Sequence, residues 1–366
     1  MWEIPFLLAC DSDTQLRTAG RAQRANPNRI PAMPLGSTMT LPVMSQGKSG
    51  IVPKAAGLIE DTLLSLPVNG KYQHPHIFAL TGSLLGGIEQ LLLGNDRKMN
   101  RLGLDVQTMF GMPPVEHITL ASDLQCGHIS TGLGPVPWKL DRFPHWSLRE
   151  NAGLRRHMVA AMRDRGIVFA QGEGCIIRKG VDVQDYAADL DLFAELGAVQ
   201  IGTVTMEPDA SRALEQLALL AEMAAERDME LTLEFAPPHS INTFEKALAA
   251  IRGIAKPNVR LTIDAMHFFR SGGSVDQLVL AGGACIGHVQ LCDVPLSAVT
   301  DDYYEEACFG RLLPGEGDLP LRELLAVVPK NVRVGLEIPM LARIGTEASL
   351  EALVARAVAL ARDVLT

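Results

Sequence analysis

The stretch Ile286-Gly-His-Val-Gln-Leu-Cys-Asp-Val-Pro295 is a short apolar run that ends in polar side chains able to bind ligands. This pattern predicts a buried parallel strand that delivers Gln290 and Asp293 to the rim of a sheet. Three further runs end in the same way: Leu231 to Pro237 contains Glu234, Val259 to His267 contains Asp264 and His267, and Val332 to Pro339 contains Glu337. Four apolar strands that each end near an oxygen ligand form one set.

From Met99 onward, strand-like and helix-like patterns alternate, starting with a strand over Arg101 to Val106 and ending with a strand over Val332 to Leu336 and a final helix. Eight such pairs over 99–366 fit the size of a closed (β/α)₈ barrel, roughly 250 residues. An open doubly wound sheet is the alternative, but no Gly-x-Gly-x-x-Gly turn follows the first strand, which disfavours a dinucleotide-binding version. We therefore predict an α/β protein with a TIM barrel and an irregular N-terminal extension.

Residues 1–98 are rich in Pro and Gly, slightly basic, and lack this alternation. We assign them as an irregular extension and place the barrel at 99–366. A second hypothesis is that Met99 is the true start and 1–98 a translated upstream region, because Arg97-Lys98 could be encoded by a purine-rich ribosome-binding sequence. A phosphate loop at Ser45 to Gly50 is disfavoured, because Pro42 stands where that motif requires glycine.

Composition narrows the partners and the compartment. A formal net charge of −9 and a pI near 5.5 argue against non-specific nucleic-acid binding, which needs a basic surface, and favour a small-molecule partner. The six cysteines contain no Cys-x-x-Cys pair, so we expect neither a disulfide framework nor a zinc knuckle, and a cytoplasmic location. No run reaches the roughly 18 apolar residues of a membrane span, so no membrane partner is expected.

The strand-end residues suggest a metal site. Two Glu, one Asp and an amide carbonyl are hard oxygen donors, which suit Mg²⁺ or Mn²⁺ better than a thiolate-preferring metal. Three carboxylates at one barrel mouth would repel each other, and a divalent cation removes most of that cost. The alternative, in which every carboxylate sits in its own rim salt bridge, is disfavoured because four successive strands end alike.

Five motifs then carry a family resemblance: Leu233-Glu-Phe235, Asp264-Ala-Met-His267, His288-Val-Gln-Leu-Cys-Asp293, Arg311 with Pro314-Gly-Glu-Gly317, and Gly335-Leu-Glu337. With them, 99–366 resembles the xylose-isomerase-like TIM barrel superfamily of sugar-phosphate isomerases and epimerases. The resemblance implies one divalent metal ion, Mn²⁺ or Mg²⁺ with Co²⁺ or Zn²⁺ as alternatives. Its ligands map onto Glu234, Asp264, Gln290 and Glu337.

The resemblance is specific for the superfamily but not for one activity. Ketose 3-epimerases commonly have His where this chain has Gln290, whereas hydroxypyruvate isomerases and 3-dehydroshikimate dehydratases resemble this chain in using Gln. We expect an isomerase or epimerase of a small hydroxy-carbonyl compound, such as a sugar or sugar acid. Glu234 and Glu337 would be base and acid, and the metal would stabilise an enediolate.

The same metal ligands are also compatible with other functions. A dehydratase of the 3-dehydroshikimate type is the main alternative, and a non-catalytic ligand-binding barrel is the alternative from another class. The apurinic-endonuclease branch of the fold is disfavoured, because this acidic chain has only nine His and no evident basic surface. Family members often associate, which implies a homo-oligomer.

Two residues are implied as substrate contacts. The resemblance makes His267 a contact to a substrate oxygen rather than a metal ligand; the alternative is a buried His bonded to a backbone carbonyl. Arg311, on a loop expected to be flexible, could clamp a carboxylate or phosphate. The alternative for Arg311 is a solvated loop side chain.

The remaining candidates are less specific. His128, Glu173 and Glu207 are predicted at strand ends lining the pocket, although each could be an ordinary surface residue. His288 and Asp293 are assigned supporting roles behind the metal ligands, His288 because Gln290 on the same face is the aligned ligand.

Overall fold

The computed structural model describes residues 100–366, which form a closed barrel of parallel strands in chain order. The strands are β1 Leu102–Leu104, β2 His128–Thr131, β3 Val168–Gly172, β4 Gln200–Val204, β5 Glu230–Glu234, β6 Val259–Asp264, β7 Ile286–Leu291 and β8 Arg333–Leu336. β1 pairs with β8 and closes the barrel. The predicted TIM barrel is confirmed, whereas the extension 1–98 and the alternative start at Met99 lie outside the described residues.

Register brings the ends of the last four strands to one rim. Glu234 pairs across β5 and β6 with Thr262, Asp264 pairs with Gln290, and Gln290 pairs with Gly335. Because all these strands are parallel, their carboxyl ends lie on the same face of the barrel. The fold therefore gathers the predicted ligands without any contribution from the opposite face.

Within residues 100–366, α-helices cover the barrel: α1 Pro114–Asp123, α2 Ala152–Arg165, α3 Ala187–Glu195, α4 Ala210–Ala225, α5 Phe244–Ile254, α6 Ala265–Arg270, α7 Val275–Ala281, α8 Tyr303–Phe309, α9 Leu321–Val327 and α10 Leu350–Leu365. Several begin at a capping side chain that accepts a backbone N–H three residues on: Asn151, Asp209, Thr243 and Ser349. None of these described helices is long and apolar enough to cross a membrane.

Aromatic side chains support the site from behind. Phe235, directly after β5, packs against Phe244 of α5 and Phe268 of α6, with ring centroids 6.2 and 6.5 Å apart. Phe244 and Phe268 meet edge to face at 5.7 Å. All three are almost fully buried, so the strand ends that carry Glu234 and Asp264 rest on a tightly packed core.

One predicted boundary was wrong for a local reason. β1 is shorter than the predicted strand Arg101 to Val106, because the chain leaves it at Asp105 and enters a short 3₁₀ helix, Val106–Met109. β3 begins only at Val168, because Gly166 has a φ of +66° and ends α2.

Candidate active site

The four predicted metal ligands lie at the carboxyl ends of β5 to β8. Glu234 and Asp264 are the last residues of β5 and β6, Gln290 is the penultimate residue of β7, and Glu337 directly follows β8. The Glu234 side chain is 17% exposed, whereas Asp264, Gln290 and Glu337 are buried. Three carboxylates and one amide thus lie at the carboxyl-end rim of the barrel.

The amide of Gln290 tests whether this set fits a metal ion. Its Oε1 atom is buried and has no hydrogen-bond partner. Such an atom costs free energy unless a donor or a cation satisfies it. Oxygen donors from Glu234, Asp264 and Glu337 lie on the same rim, and a hard divalent cation suits this donor chemistry. The residues present therefore fit the implied metal.

Arg311 supplies positive charge between two of these carboxylates. Its Nη1 lies 2.5 Å from Asp264 Oδ2 and 3.5 Å from Glu337 Oε2, and its Nε donates to the carbonyl of Ala307 at 2.8 Å. Only 2% of the residue is exposed. The expectation of a flexible or solvated arginine was wrong, because buried carboxylates hold the guanidinium in place.

The pKa values of Asp264 and Glu337, the two carboxyls beside Arg311, are shifted in opposite directions. Burial alone would raise the pKa of Asp264, but Arg311 and His267 outweigh it and hold that pKa below its ordinary value. Burial raises the pKa of Glu337 well above its ordinary value, and the nearby carboxylates add to this effect against Arg311. Asp264 is therefore the permanent anion, and Glu337 is the carboxyl that holds a proton more readily.

His267 lies closer to the carboxylates than the sequence indicated. One ligand-capable atom from each of Glu234, Asp264 and His267 falls within 4.8 Å of the others. His267 Nε2 is 3.2 Å from Glu234 Oε1, and its Nδ1 is 2.5 Å from the hydroxyl of Tyr303. These three residues form an alternative metal-binding set in which His267 replaces Gln290 and Glu337.

Both ring nitrogens of His267 are occupied by protein groups. Arg311 Nη2, which can only donate, hydrogen-bonds to His267 Nε2 at 3.3 Å, whereas Glu234 Oε1 lies 3.2 Å from the same nitrogen. Nε2 is then the acceptor, and the imidazole proton lies on Nδ1, which donates to the Tyr303 hydroxyl at 2.5 Å. We assign His267 as a hydrogen-bonding group at the barrel mouth rather than a metal ligand.

Tyr303→Phe should change the His267 tautomer. Without the phenol, Nδ1–H is a buried donor with no acceptor, so the proton should redistribute toward Nε2, beside Glu234, and stability should fall by about 1–3 kcal/mol. The ¹⁵N chemical shifts of the imidazole report the tautomer directly. Tyr304→Phe, one residue along α8, is the matched control and should leave these shifts unchanged; unchanged shifts in Tyr303→Phe would refute the assignment.

Asp293 organises the loop that follows β7. Its carboxylate accepts the backbone N–H groups of Val294 at 2.9 Å, Gly315 at 2.8 Å and Leu319 at 3.1 Å. A Cβ on Gly317 would lie 2.4 Å from Asp293 Oδ1, so only glycine fits there. The Pro-Gly-Glu-Gly motif, Pro314 to Gly317, thus packs around the Asp293 carboxylate. These contacts hold the segment that contains Arg311 in place.

A buried polar pair lies below the ligands. His288 Nε2 is 3.3 Å from Asp105 Oδ2, and both side chains are fully buried. His288 lies on β7 two residues before Gln290, which suits the predicted supporting role. Asp105 directly follows β1, as the predicted ligands lie at the ends of β5 to β8. This position after an apolar strand was a sequence signal for Asp105 that we did not use. Tyr303 had no comparable signal in the sequence.

Two predicted pocket residues are placed elsewhere. His128 is the first residue of β2, and its Nε2 lies 3.0 Å from the carbonyl of Arg101. It is therefore at the amino end of the barrel, and burial lowers its pKa to about 3. Glu207 follows β4 but is buried in an ion pair with Arg212. The position of His128 disagrees with the prediction of a pocket residue, whereas the substrate contact of the ion-paired Glu207 stays a prediction.

Glu173 lies closer to the barrel interior than a surface residue would. It follows β3 and accepts a 2.7 Å hydrogen bond from Gln171 Nε2. Gln171 Oε1 in turn accepts from Gln200 and Thr232, at 2.6 and 2.9 Å. Burial raises the pKa of Glu173 well above its ordinary value. This network fills the barrel beneath the open side of the pocket.

Known proteins share this barrel and parts of its sequence. An inosose isomerase from Bacillus velezensis is 30% identical over 112 residues, which are 29% of this chain and 38% of that protein. A 3-dehydroshikimate dehydratase from Pseudomonas aeruginosa is 30% identical over 167 residues, 44% of this chain and 26% of that protein. The chain thus spans less than half the length of these curated relatives.

Solved structures show the same fold at lower identity. The crystal structure of the IolI protein with a bound zinc atom superposes with a TM-score of 0.61 at 17% identity, covering 72% of this chain and 98% of that one. Residues 180–355, which include all four predicted ligands, match the model of the family described as xylose isomerase-like TIM barrel. This segment of the chain is therefore similar to the xylose isomerase-like TIM barrel family.

Proposed function

We propose that the protein is a divalent-metal-dependent isomerase or epimerase of a small hydroxy-carbonyl compound. One observation carries the proposal: Glu234, Asp264, Gln290 and Glu337 follow one another around the rim at the ends of β5 to β8, with Gln290 Oε1 buried and unpartnered. These four side chains supply oxygen donors for a metal, and two of them, Glu234 and Glu337, are carboxyls that can also transfer protons. Relatives named as an isomerase and a dehydratase support enzymatic activity.

Glu234, Asp264, Gln290 and Glu337 would hold the metal, with Mn²⁺ or Mg²⁺ favoured by the oxygen donors. The zinc atom bound by the IolI protein supports a divalent ion in this chain. When bound, the ion supplies Lewis acidity that stabilises negative charge on the substrate's carbonyl and hydroxyl oxygens. The amide of Gln290 contributes a neutral donor, so it binds without adding a fourth negative charge.

The side chains of this chain supply the proton transfers. Glu234 is the more open carboxylate, with 17% of its side chain exposed, and would remove the proton from the carbon beside the carbonyl. Glu337, buried directly after β8, would return a proton to the neighbouring carbon or to the other face. His267, whose Nε2 is 3.2 Å from Glu234 Oε1, would contact a substrate oxygen, and Arg311 would keep Asp264 ionised.

A dehydratase is the second candidate. It needs the same first proton removal, followed by loss of a β-hydroxyl instead of reprotonation. The match to a 3-dehydroshikimate dehydratase over 44% of this chain favours it. A third reading, a barrel that binds a ligand without catalysis, predicts binding with no proton transfer.

We also propose that the protein acts in the cytoplasm on a metabolite of carbohydrate metabolism. In the described part of the chain, none of Cys126, Cys175, Cys285, Cys292 and Cys308 forms a disulfide. Most of these five are buried, and the lack of disulfides among them supports a reducing compartment.

Deuterium exchange tests the proposed chemistry. Metal-loaded protein in D₂O is given two neutral compounds, an inosose and a ketohexose, and two carboxylates, hydroxypyruvate and 3-dehydroshikimate. We expect deuterium to enter the carbon beside the carbonyl of at least one compound, and chelation of the metal to stop it. Release of water with a new conjugated chromophore would identify the dehydratase instead. No exchange in any compound would contradict the proposal.

A further inference from the structure

We propose that Glu173 is a third catalytic carboxyl, which donates a proton to the carbonyl oxygen of the substrate while Glu234 and Glu337 act on carbon. The inference rests on the proposed function and adds a residue to it. Isomerisation turns the carbonyl oxygen into a hydroxyl, so this oxygen must gain a proton. Glu234 and Glu337 are assigned to the protons on carbon, which leaves the oxygen without an acid.

The Glu173 carboxyl lies inside the barrel, near the level of Glu234. Glu173 directly follows β3, two strands from β5. A Cβ on Gly202 of β4 would lie 2.7 Å from Glu173 Oε2, so the glycine leaves room for the carboxyl in the interior. Gly202 pairs with Thr232, two residues before Glu234. Because residues two apart on a strand point to the same side, the Glu173 carboxyl lies beside the layer directly beneath Glu234.

A chain of hydrogen bonds fixes one oxygen of Glu173 and leaves the other available. Gln171 Nε2 donates to Glu173 Oε1 at 2.7 Å. The amide is held in this orientation, because its Oε1 accepts from Gln200 Nε2 at 2.6 Å and from Thr232 Oγ1 at 2.9 Å. Among the described residues, Glu173 Oε2 has no hydrogen-bond partner, and the residue is only half-buried. Oε2 can therefore reach a substrate oxygen.

The surroundings of Glu173 favour its protonated form. Its fixed oxygen accepts from a neutral amide, and within residues 100–366 no Lys, Arg or His forms an ion pair with it. The charged groups that act on it, Asp105 after β1 and Glu234 of β5, are both negative. Burial and these two carboxylates raise the pKa of Glu173 well above its ordinary value, against the bond from Gln171. The carboxyl can therefore donate a proton.

The proton that Glu173 donates is returned within one turnover. Glu234 takes the proton from the carbon beside the carbonyl, the C–H electron pair forms a C=C bond, and the carbonyl oxygen takes the Glu173 proton. When the enediol collapses, the neighbouring hydroxyl gives its proton to the Glu173 carboxylate as the new carbonyl forms, and Glu337 protonates carbon. In epimerisation the original oxygen returns the proton instead. Glu173 is thus protonated before and after the reaction.

Glu173→Gln tests this role in the deuterium-exchange assay. The amide keeps the size of the side chain and can still accept from Gln171, but it has no acidic proton. We expect kcat for exchange to fall about 10²-fold, with KM within about threefold of the original. The matched control is Glu222→Gln, which changes an exposed glutamate of α4 that pairs with Lys256. It should alter neither constant.

The pH profile separates a catalytic role from a structural one. In the original protein, kcat/KM for exchange should fall at alkaline pH, because the protonated form of Glu173 is lost as the pH rises through its raised pKa. Glu173→Gln should lack this fall. Gln171→Met should move the fall to higher pH, because the bond from Gln171 stabilises the Glu173 carboxylate. This second variant does not depend on whether Glu173→Gln folds.

The outcomes separate this inference from the proposed function. If Glu173→Gln exchanges within about threefold of the original rate, or if the alkaline fall is unchanged in both variants, the inference is overturned and the proposed function stands. If the original protein exchanges no compound of the panel, both are overturned.

Discussion

Glu337→Gln is expected to lower the rate of product formation by about 10³-fold, the loss typical of a missing acid–base group. The amide keeps an oxygen donor at the same place, so the protein should retain metal. Glu337 is buried directly after β8, 3.5 Å from Arg311, and is the carboxyl that would return the proton. Rates of product formation and metal content, measured on the same preparation, separate lost proton transfer from lost metal.

The matched control is Glu195→Gln, which changes the same group in an exposed pair with Arg155 on the outside of the barrel. It should leave both the rate of product formation and the metal content unchanged. A Glu337→Gln protein that keeps its metal and forms product within about threefold of the original rate would remove Glu337 from the mechanism.

Arg311→Met is expected to have the largest effect on stability. The substitution leaves Asp264 and Glu337 buried without their counter-charge, and breaking a buried pair typically costs about 3–5 kcal/mol. Urea unfolding in the presence of a chelator should show this loss in the free energy of unfolding. Adding Mn²⁺ should restore a large part of it, because the ion binds the same carboxylates in the folded state only.

Arg163→Met provides the comparison for Arg311→Met. Arg163 pairs with Asp164 on the surface of α2, where both side chains are mostly exposed. Its loss should cost less than about 1 kcal/mol, and Mn²⁺ should not change that cost. Equal losses in the two variants, or no rescue of Arg311→Met by Mn²⁺, would contradict the role given to Arg311.

The fold was largely readable from the sequence because parallel strands in a barrel are buried on both faces. Runs such as Ile286–Leu291 are apolar throughout and stop at a polar residue, so their position and order could be predicted. Helix ends were less certain, since they depend on single capping residues. Gly166 ended α2 two residues before the strand began, and a pattern of apolar residues carries no information about such a turn.

Some residues of the candidate site could also be predicted from the sequence, and others could not. Strand-end ligands such as Glu234 and Asp264 could be predicted, because their sequence position fixes their place on the rim. Arg311 could not, because its burial depends on carboxylates from β6 and β8 that are distant in sequence. His128 was misplaced because its strand begins, rather than ends, at that residue. Tyr303 lies in a polar connection whose composition does not show which side chain turns inward.

The most direct measurement of the central claim is anomalous diffraction from crystals soaked in Mn²⁺. The account predicts one peak at the barrel mouth, within bonding distance of Glu234, Asp264, Gln290 Oε1 and Glu337, with His267 bonded to Tyr303 and outside the coordination shell. A peak coordinated by Glu234, Asp264 and His267, with Gln290 and Glu337 remote, would contradict it. So would the absence of any peak at these carboxylates.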